Sequence, residues 1–163
     1  TAYEGEDDML PYFYEYGWTA DYTTEQKPEY FENPIAYIGN GNYMDETLQD
    51  IAEIVKICNE NEINLYLFTN PMYYVTYNKS VEQNYLFFLR ELAQITDYYN
   101  FSGLNDITTQ KQYYLDTSHY NCYVGDMMLE CMCDGKKYEG LYEQGFGMYV
   151  TSDNVEELIQ LLN

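Results

Sequence analysis

Residues 48–71 have the sequence LQDIAEIVKICNENEINLYLFTNP, and the expected fold depends chiefly on this stretch. Its first half repeats apolar side chains at helical spacing, which predicts an amphipathic helix with one buried stripe. The members of that stripe are Leu48, Ile51, Ala52, Val55 and Cys58. Residues 65–68 then form a short apolar run that ends before Asn70-Pro71, a pattern typical of a buried strand.

The same alternation of helix and strand continues towards the C terminus. Ser80-x-x-Gln83 and Asp153-x-x-Glu156 have the spacing of capping boxes, so we expect a helix to begin at each. Residues 98–102 and 147–151 are two further candidate strands. A helical stripe lies between them, formed by Val124, Met128, Leu129 and Met132. This is the order of an α/β protein, and long connections that contain helices favour parallel strands. We therefore expect a three-layer αβα fold with a mostly parallel sheet.

The chain divides into two parts by composition. Residues 1–43 are rich in Tyr, Glu, Asp and Pro and lack hydrophobic periodicity, so we expect an irregular N-terminal segment there. Residues 44–163 carry the helix and strand patterns and form the expected α/β domain. Because this domain lacks an obvious first strand, we expect the fold to be incomplete on its N-terminal side. The resulting exposed sheet edge predicts a homodimer, since an open edge can pair with a second copy.

The charge balance excludes two classes of partner. The chain has 28 acidic and 7 basic residues and a net charge of −21. Nucleic acids and anionic membranes are bound through basic surfaces, so we expect neither as a partner. The acidity is explained by a solvated surface, and a cationic ligand or partner is the alternative.

Tyrosine and cysteine also restrict the possible functions. The 22 tyrosines suit half-buried positions at the margin of the core, and a carbohydrate-stacking surface is the alternative. The four cysteines do not have zinc-site spacing, and only one histidine is present. We therefore expect no metal and no cofactor.

The sole histidine, His119, follows Asp116 by three residues after a predicted strand and its loop. In a tight turn this spacing lets the carboxylate bind one ring nitrogen, which leaves the other nitrogen free to take a proton. These are the roles of the orienting acid and the general base in acyl transfer. A loop histidine whose ring is simply satisfied by a nearby carboxylate is the structural alternative.

The segment FSGLNDITTQKQYYLDTSHYNCYVGDMMLECM, residues 101–132, resembles the C-terminal region of SGNH hydrolases (GDSL-type) of the bacterial cell envelope. The matching residues are Phe101, Ser102, Gly103, Asn105, Thr108, Thr109, Tyr114, Asp116, His119, Tyr120, Gly125 and Asp126. The resemblance extends more loosely over residues 44–162. It implies an SGNH-like or flavodoxin-like αβα fold, with Asp116 as the orienting acid and His119 as the base of a Ser-His-Asp triad.

The resemblance also implies a function. Related proteins transfer D-alanyl groups to teichoic acid or assist alginate acetylation, so we expect ester hydrolysis or O-acyl transfer on carbohydrate or acylated glycopolymer substrates. The expected location is extracellular or in the bacterial cell envelope. Asn70 is a candidate substrate-binding residue because it follows a predicted strand, and a turn residue before Pro71 is the alternative. Tyr120 and Tyr114 are candidates because they flank the Asp-His block, where they either pack against it or stack on a sugar.

This sequence departs from the SGNH pattern at the nucleophile. No Gly-Asp-Ser turn precedes Asp116, and the only serines upstream of it are Ser80 and Ser102. We expect the chain to be the C-terminal part of a longer protein and to be inactive towards esters on its own. The alternative is a catalytically inactive glycan- or protein-binding module. A flavodoxin-like receiver domain is a third alternative, but neither clustered acids at a first strand nor a phosphate-binding Gly loop is evident.

Overall fold

The computed structural model describes Phe31, residues 43–134 and residues 137–163. Helix accounts for 54% of these residues. The described elements, in chain order, are α1 (Met44–Glu60), α2 (Tyr74–Glu82), α3 (Tyr85–Ile95), β1 (Tyr98–Asn100), a 3₁₀ turn (Lys111–Tyr113), α4 (Cys122–Cys133), α5 (Glu139–Tyr142), β2 (Met148–Val150) and α6 (Val155–Leu162). None of the helices in these ranges is both long enough and apolar enough to cross a membrane.

Helix α1 confirms the helix predicted from the apolar stripe. Its Leu48 is buried in the main core, and Met44 and Ile51 pack against the same cluster. The opposite face is partly apolar too, because Ile54 and Ile57 are exposed. The apolar spacing therefore predicted the helix correctly, while the packing of α1 against α3 selects which apolar residues are buried.

The sheet shows that the expected αβα fold is wrong. Among the described residues it consists of β1 and β2 only, which run antiparallel with Tyr98 opposite Val150. The three-layer, mostly parallel architecture of the SGNH or flavodoxin-like kind is therefore not what the described residues form. Residues 65–68 make no strand. They contribute one isolated parallel bridge, Phe68 to Tyr99, and most of their side chains are exposed rather than buried.

The antiparallel direction of β2 follows from the turn that leads into it. After α5 the chain passes through Gly145 and Gly147, which have φ values of 83° and 78°. This left-handed conformation is readily adopted by glycine. The turn ends with the N–H of Gly147 donating to the carbonyl of Asn100 at 2.6 Å, so the chain enters β2 beside the end of β1. Because β2 starts where β1 finishes, the two strands run in opposite directions.

Two hydrophobic clusters stabilise this arrangement. The larger one joins α1, α3, α6 and both strands. Its buried members are Leu48, Leu89, Leu92, Ala93, Tyr98, Met148, Val150, Val155, Leu158, Ile159 and Leu162. The smaller cluster packs α4 against the chain that leaves β1, and it consists of Phe101, Ile107, Val124, Met127, Met128, Cys131 and Phe146. The second cluster fixes the position of α4, which begins directly after the histidine loop.

Neither predicted capping box forms. Ser80 lies inside α2, where its hydroxyl donates to the carbonyl of Thr76 at 2.9 Å. Helix α3 begins after Asn84, which has a φ of 68°, and α6 begins after Asn154; neither side chain caps its helix. The side chain of Asn154 instead accepts the backbone N–H of Thr151.

The N-terminal part of the chain lies largely outside the described residues. Phe31 is described, and its ring packs edge-on against Tyr73 with a centroid separation of 5.4 Å. The expected irregular structure of residues 1–42 otherwise falls on residues that are not described. The homodimer expected from an exposed sheet edge stays a prediction.

Candidate active site

The Asp116–His119 pair forms the turn that its spacing predicts. One carboxylate oxygen, Oδ2, lies 2.7 Å from Nδ1 of the imidazole. The other oxygen, Oδ1, accepts the backbone N–H groups of Ser118 at 2.7 Å and His119 at 2.8 Å. A single aspartate therefore shapes the turn and orients the ring at the same time.

The two members of the pair differ in exposure. The side chain of Asp116 is 29% exposed, whereas that of His119 is 68% exposed. Partial burial by itself raises the pKa of Asp116. The hydrogen bonds from the Ser118 N–H and from the ring and N–H of His119 outweigh burial and lower that pKa below its usual value. The carboxylate of Asp116 is thus ionised at neutral pH. The other ring nitrogen of His119, Nε2, makes no hydrogen bond within the described residues.

The turn is fastened to the rest of the molecule on two sides. The side-chain amide of Asn70 donates to the carbonyl of Ser118 at 3.2 Å. The backbone N–H of Tyr73 donates to the carbonyl of Thr117, a buried residue, at 3.3 Å. These bonds place the histidine next to the chain that follows residues 65–68.

Asn70 itself extends from a buried polar hub. The hydroxyl of Thr69 donates to Oδ1 of Asn100 at 3.0 Å and accepts the N–H groups of Phe101 and Ser102. Asn100 is fully buried, and its amide also donates to the carbonyls of Ser102 and Gly145. Because each of these buried polar groups is hydrogen-bonded to another, the backbone just before Asn70 is held in one position.

An open cleft of about 530 Å³ lies beside the histidine, lined by Asn70, Ser118, His119 and Tyr120. Tyr120 is half-buried, and its ring lies over Gly125 in α4. Desolvation by burial raises the pKa of the Tyr120 phenol, so the hydroxyl stays neutral. Three of the predicted site residues besides Asp116, namely Asn70, His119 and Tyr120, therefore meet at one cleft.

Tyr114, the remaining predicted site residue, is not in the lining of this cleft. It is buried, and its hydroxyl donates to the carbonyl of Pro71 at 2.7 Å. Its backbone forms an antiparallel bridge with Tyr120, and the N–H of Leu115 donates to the carbonyl of His119 at 2.8 Å. Tyr114 thus packs beneath the loop, and its predicted role in substrate binding stays a prediction.

No nucleophile is positioned by the described residues. The described structure contains no hydroxyl or thiol that hydrogen-bonds to His119. Ser102 is fully buried and bonded to Asn100, and Ser80 is bonded inside α2. Ser118 lines the cleft but is adjacent to His119 in the same turn. The described residues therefore provide an Asp–His pair whose imidazole has no hydroxyl or thiol hydrogen-bonded to it.

Sequence reasoning assigned no role to two residues that position the site, Thr69 and Tyr73. Thr69 is a buried polar residue directly after an apolar run, and this placement is a signal that could have found it. The backbone bond from Tyr73 to Thr117 has no signal in the sequence. Within residues 43–134 and 137–163, no three His, Cys, Asp or Glu side chains group closely enough to hold a metal ion.

Comparison with known proteins adds no relative: no family model, no curated protein and no solved structure matches the chain.

Proposed function

We propose that Asp116 and His119 are the orienting acid and the general base of a site for ester hydrolysis or O-acyl transfer. The observation that carries this proposal is the 2.7 Å contact between Asp116 Oδ2 and His119 Nδ1, with the rest of the ring exposed at an open cleft. The proposal depends on this geometry and not on the overall fold, which differs from the one expected.

The mechanism follows from the two ring nitrogens. Nδ1 carries the proton that is donated to Asp116, so in the neutral ring Nε2 has a lone pair that faces outwards. A hydroxyl group placed in the cleft can give its proton to Nε2 while its oxygen attacks the acyl carbon of an ester. The ionised carboxylate of Asp116 then stabilises the imidazolium that forms, and the imidazolium returns the proton to the leaving oxygen.

The proposed substrates are acyl esters of cell-surface glycans or glycopolymers, acted on outside the cell or in the bacterial envelope. The cleft is open and therefore accommodates an extended polymer, and the half-buried ring of Tyr120 offers an apolar surface at its wall. The amide of Asn70 is already bonded to the Ser118 carbonyl, so we propose that its main contribution is to hold the turn in place.

The test compares this chain with the full product of its reading frame, meaning the chain together with any coding sequence found upstream of Thr1. We expect the chain alone to release no more p-nitrophenol from p-nitrophenyl acetate than an equal concentration of imidazole, because a base without a nucleophile contributes little. We expect the full product to hydrolyse the ester and an O-acetylated glycan. His119→Ala should abolish this activity, and Asp116→Asn should reduce it by two or more orders of magnitude, roughly the loss expected when a base holds its proton on the wrong nitrogen.

Asp153→Asn is the matched control, because Asp153 is an exposed carboxylate in a turn before α6. This variant should retain full activity. Esterase activity of the full product that survives His119→Ala would exclude the proposed role of the pair.

A second candidate function is a glycan- or protein-binding module without catalytic activity. The observation that favours it is the lack, among the described residues, of any hydroxyl or thiol bonded to His119. A reading frame without a strand followed by Gly-x-Ser upstream, together with an inactive full product that still binds glycan, would support this module over the enzyme.

A further inference from the structure

A second groove lies at the other end of the strands from the histidine cleft. It has a volume of about 290 Å³ and is lined in part by Tyr66, Asp97, Tyr99 and Tyr149. Asp97 immediately precedes β1, whereas the cleft residue Asn70 follows Thr69, which is bonded to residues at the end of β1. The groove is therefore separate from the proposed active site, and its residues have no role in the chemistry described above.

Two of its tyrosines form an angled pair. Tyr99 and Tyr149 are directly opposite in the antiparallel register, and their ring centroids are 5.0 Å apart with an angle of 59° between the planes. The hydroxyl of Tyr99 donates to the carbonyl of Met132 at 3.3 Å, and that of Tyr149 donates to the carboxylate of Asp97 at 2.8 Å. The hydroxyls hold both rings in place, and Tyr149 is 45% exposed.

Tyr66 adds a third ring to the groove and is 65% exposed. A large aromatic side chain with so much exposed surface contributes little to the stability of the fold. Packing among the described residues therefore does not explain why position 66 is a tyrosine. Three rings thus line one small groove with aromatic surface accessible to a ligand.

The charge of the groove is negative. Within the described residues no Lys, Arg or His nitrogen lies within 4.0 Å of Asp97, and all ion pairs there involve other acids. The hydrogen bond to Asp97, together with partial burial and the negative charge of that carboxylate, raises the pKa of Tyr149, which therefore stays a neutral donor. The protein's net charge of −21 adds a negative potential around the whole surface.

We propose that this groove binds a small organic cation, an alkylammonium or quaternary ammonium group, which lies against the tyrosines that line it, Tyr66, Tyr99 and Tyr149, and beside the Asp97 carboxylate. Aromatic faces attract such cations through their quadrupoles, and rings at an angle can contact a rounded cation on more than one side. The Asp97 carboxylate, which has no cationic partner among the described residues, supplies the opposite charge. A neutral sugar would need a flat, open ring face, whereas this pair forms a corner. The volume, slightly below that of drug-sized pockets, suits a small ligand.

Choline chloride is the probe, and 3,3-dimethyl-1-butanol is its matched uncharged control because a carbon replaces the charged nitrogen. Binding is followed by NMR of the ¹⁵N-labelled chain through the amides of residues 96–99 and 148–150. We expect choline to shift these amides with saturation and the alcohol to leave them unchanged. Raising the salt concentration should weaken choline binding, since an exposed charge pair is screened.

Variants test the individual contacts. Tyr66→Ala and Asp97→Asn should each weaken choline binding by about fivefold, corresponding to the loss of one partly exposed cation–π contact or one exposed charge. Asn at position 97 can still accept the Tyr149 hydroxyl, so the fold is preserved. Tyr123→Ala removes an exposed tyrosine from α4 outside the groove and should leave the affinity unchanged.

Three outcomes would overturn the proposal. Equal shifts with the uncharged alcohol would show that only apolar contact matters. Shifts with methyl glucoside and none with choline would identify a sugar site. Binding to phosphatidylcholine vesicles without binding of free choline would mean that the groove does not recognise the cation by itself.

Discussion

Replacing Asp116 with Asn tests the bond on which the candidate active site depends. In the native turn Oδ1 of Asp116 accepts two backbone N–H groups, and Oδ2 contacts Nδ1 of His119. An asparagine can keep both backbone bonds with its amide oxygen. Its NH₂ group then takes the place of Oδ2 and donates to Nδ1, which must accept. We therefore expect the ring proton to move to Nε2, so that the base no longer has a lone pair facing the cleft.

The loss of stability in each Asp116 variant depends on how many of these hydrogen bonds the substitution removes. The ring of His119 is 68% exposed, so the Asp–His contact contributes no more than a solvent-exposed ion pair, about 0.5–1 kcal/mol. Asp116→Asn should lower the free energy of unfolding by that amount. Asp116→Ala removes the two backbone bonds as well, at about 1 kcal/mol each, and should cost about 2–3 kcal/mol.

The assay is ¹⁵N NMR of the ring nitrogens, combined with denaturant unfolding. The chain has a single histidine, so its ring signals need no assignment among residues. In the neutral ring we expect the wild type to show a protonated Nδ1 and an unprotonated Nε2, and Asp116→Asn to show the reverse. Asp153→Asn serves as the control and should give the wild-type spectrum.

A proton that stays on Nδ1 in Asp116→Asn would show that the Asp116 carboxylate does not set the tautomer of His119. If Asp116→Ala cost no more stability than Asp116→Asn, the two backbone bonds would not hold the turn.

Four further predictions concern stability and assembly. Gly147→Ala should lower the free energy of unfolding by about 2 kcal/mol, since a Cβ there would lie 2.9 Å from Cys131 at a φ of 78°, and urea unfolding measures this. Asn100→Ala should cost about 3 kcal/mol in the same assay, because it removes the partner of two buried hydroxyls and two carbonyls. Burial raises the pKa of Tyr77 to about 12, so its contribution to stability is complete below about pH 10 and lost as the pH rises towards 12; urea unfolding followed by circular dichroism should show stability falling across this range in the wild type and falling less in Tyr77→Phe. The homodimer should appear by light scattering as twice the chain mass, and Phe68→Lys, in the exposed segment bridged to β1, should shift it to monomer, whereas a wild-type monomer would contradict the dimer.

The histidine turn illustrates which parts of the site could be predicted. Asp116 and His119 are only three residues apart. In a tight turn the carboxylate can therefore reach little besides the imidazole ring and the nearby N–H groups. Asn70 could be predicted to lie near the pair because it follows an apolar run. Its bond to the Ser118 carbonyl joins residues 48 positions apart, and nothing in the sequence indicates that partner.

The capping boxes failed for a related reason. Ser80-x-x-Gln83 has the required residue types, but α2 already includes Ser80, and its hydroxyl bonds to the carbonyl one turn earlier. A side chain that can bond to a local N–H or to a local carbonyl takes whichever its helix offers. The residue type thus predicted that Ser80 bonds to the nearby backbone. It did not predict whether the partner would be an N–H at the start of a helix or a carbonyl inside one.

Local patterns by themselves determined α1, the acidic surface and the Asp116–His119 contact, because each depends on residues close together in the chain or on composition alone. The tertiary structure decided the direction of β2, the exposure of residues 65–68 and the burial of Tyr114. Strand direction depends on where the chain re-enters the sheet, and here the turn through Gly145 and Gly147 places the start of β2 at the end of β1. An apolar run is buried only where another part of the chain covers it, and that is a property of the packed molecule and not of the run.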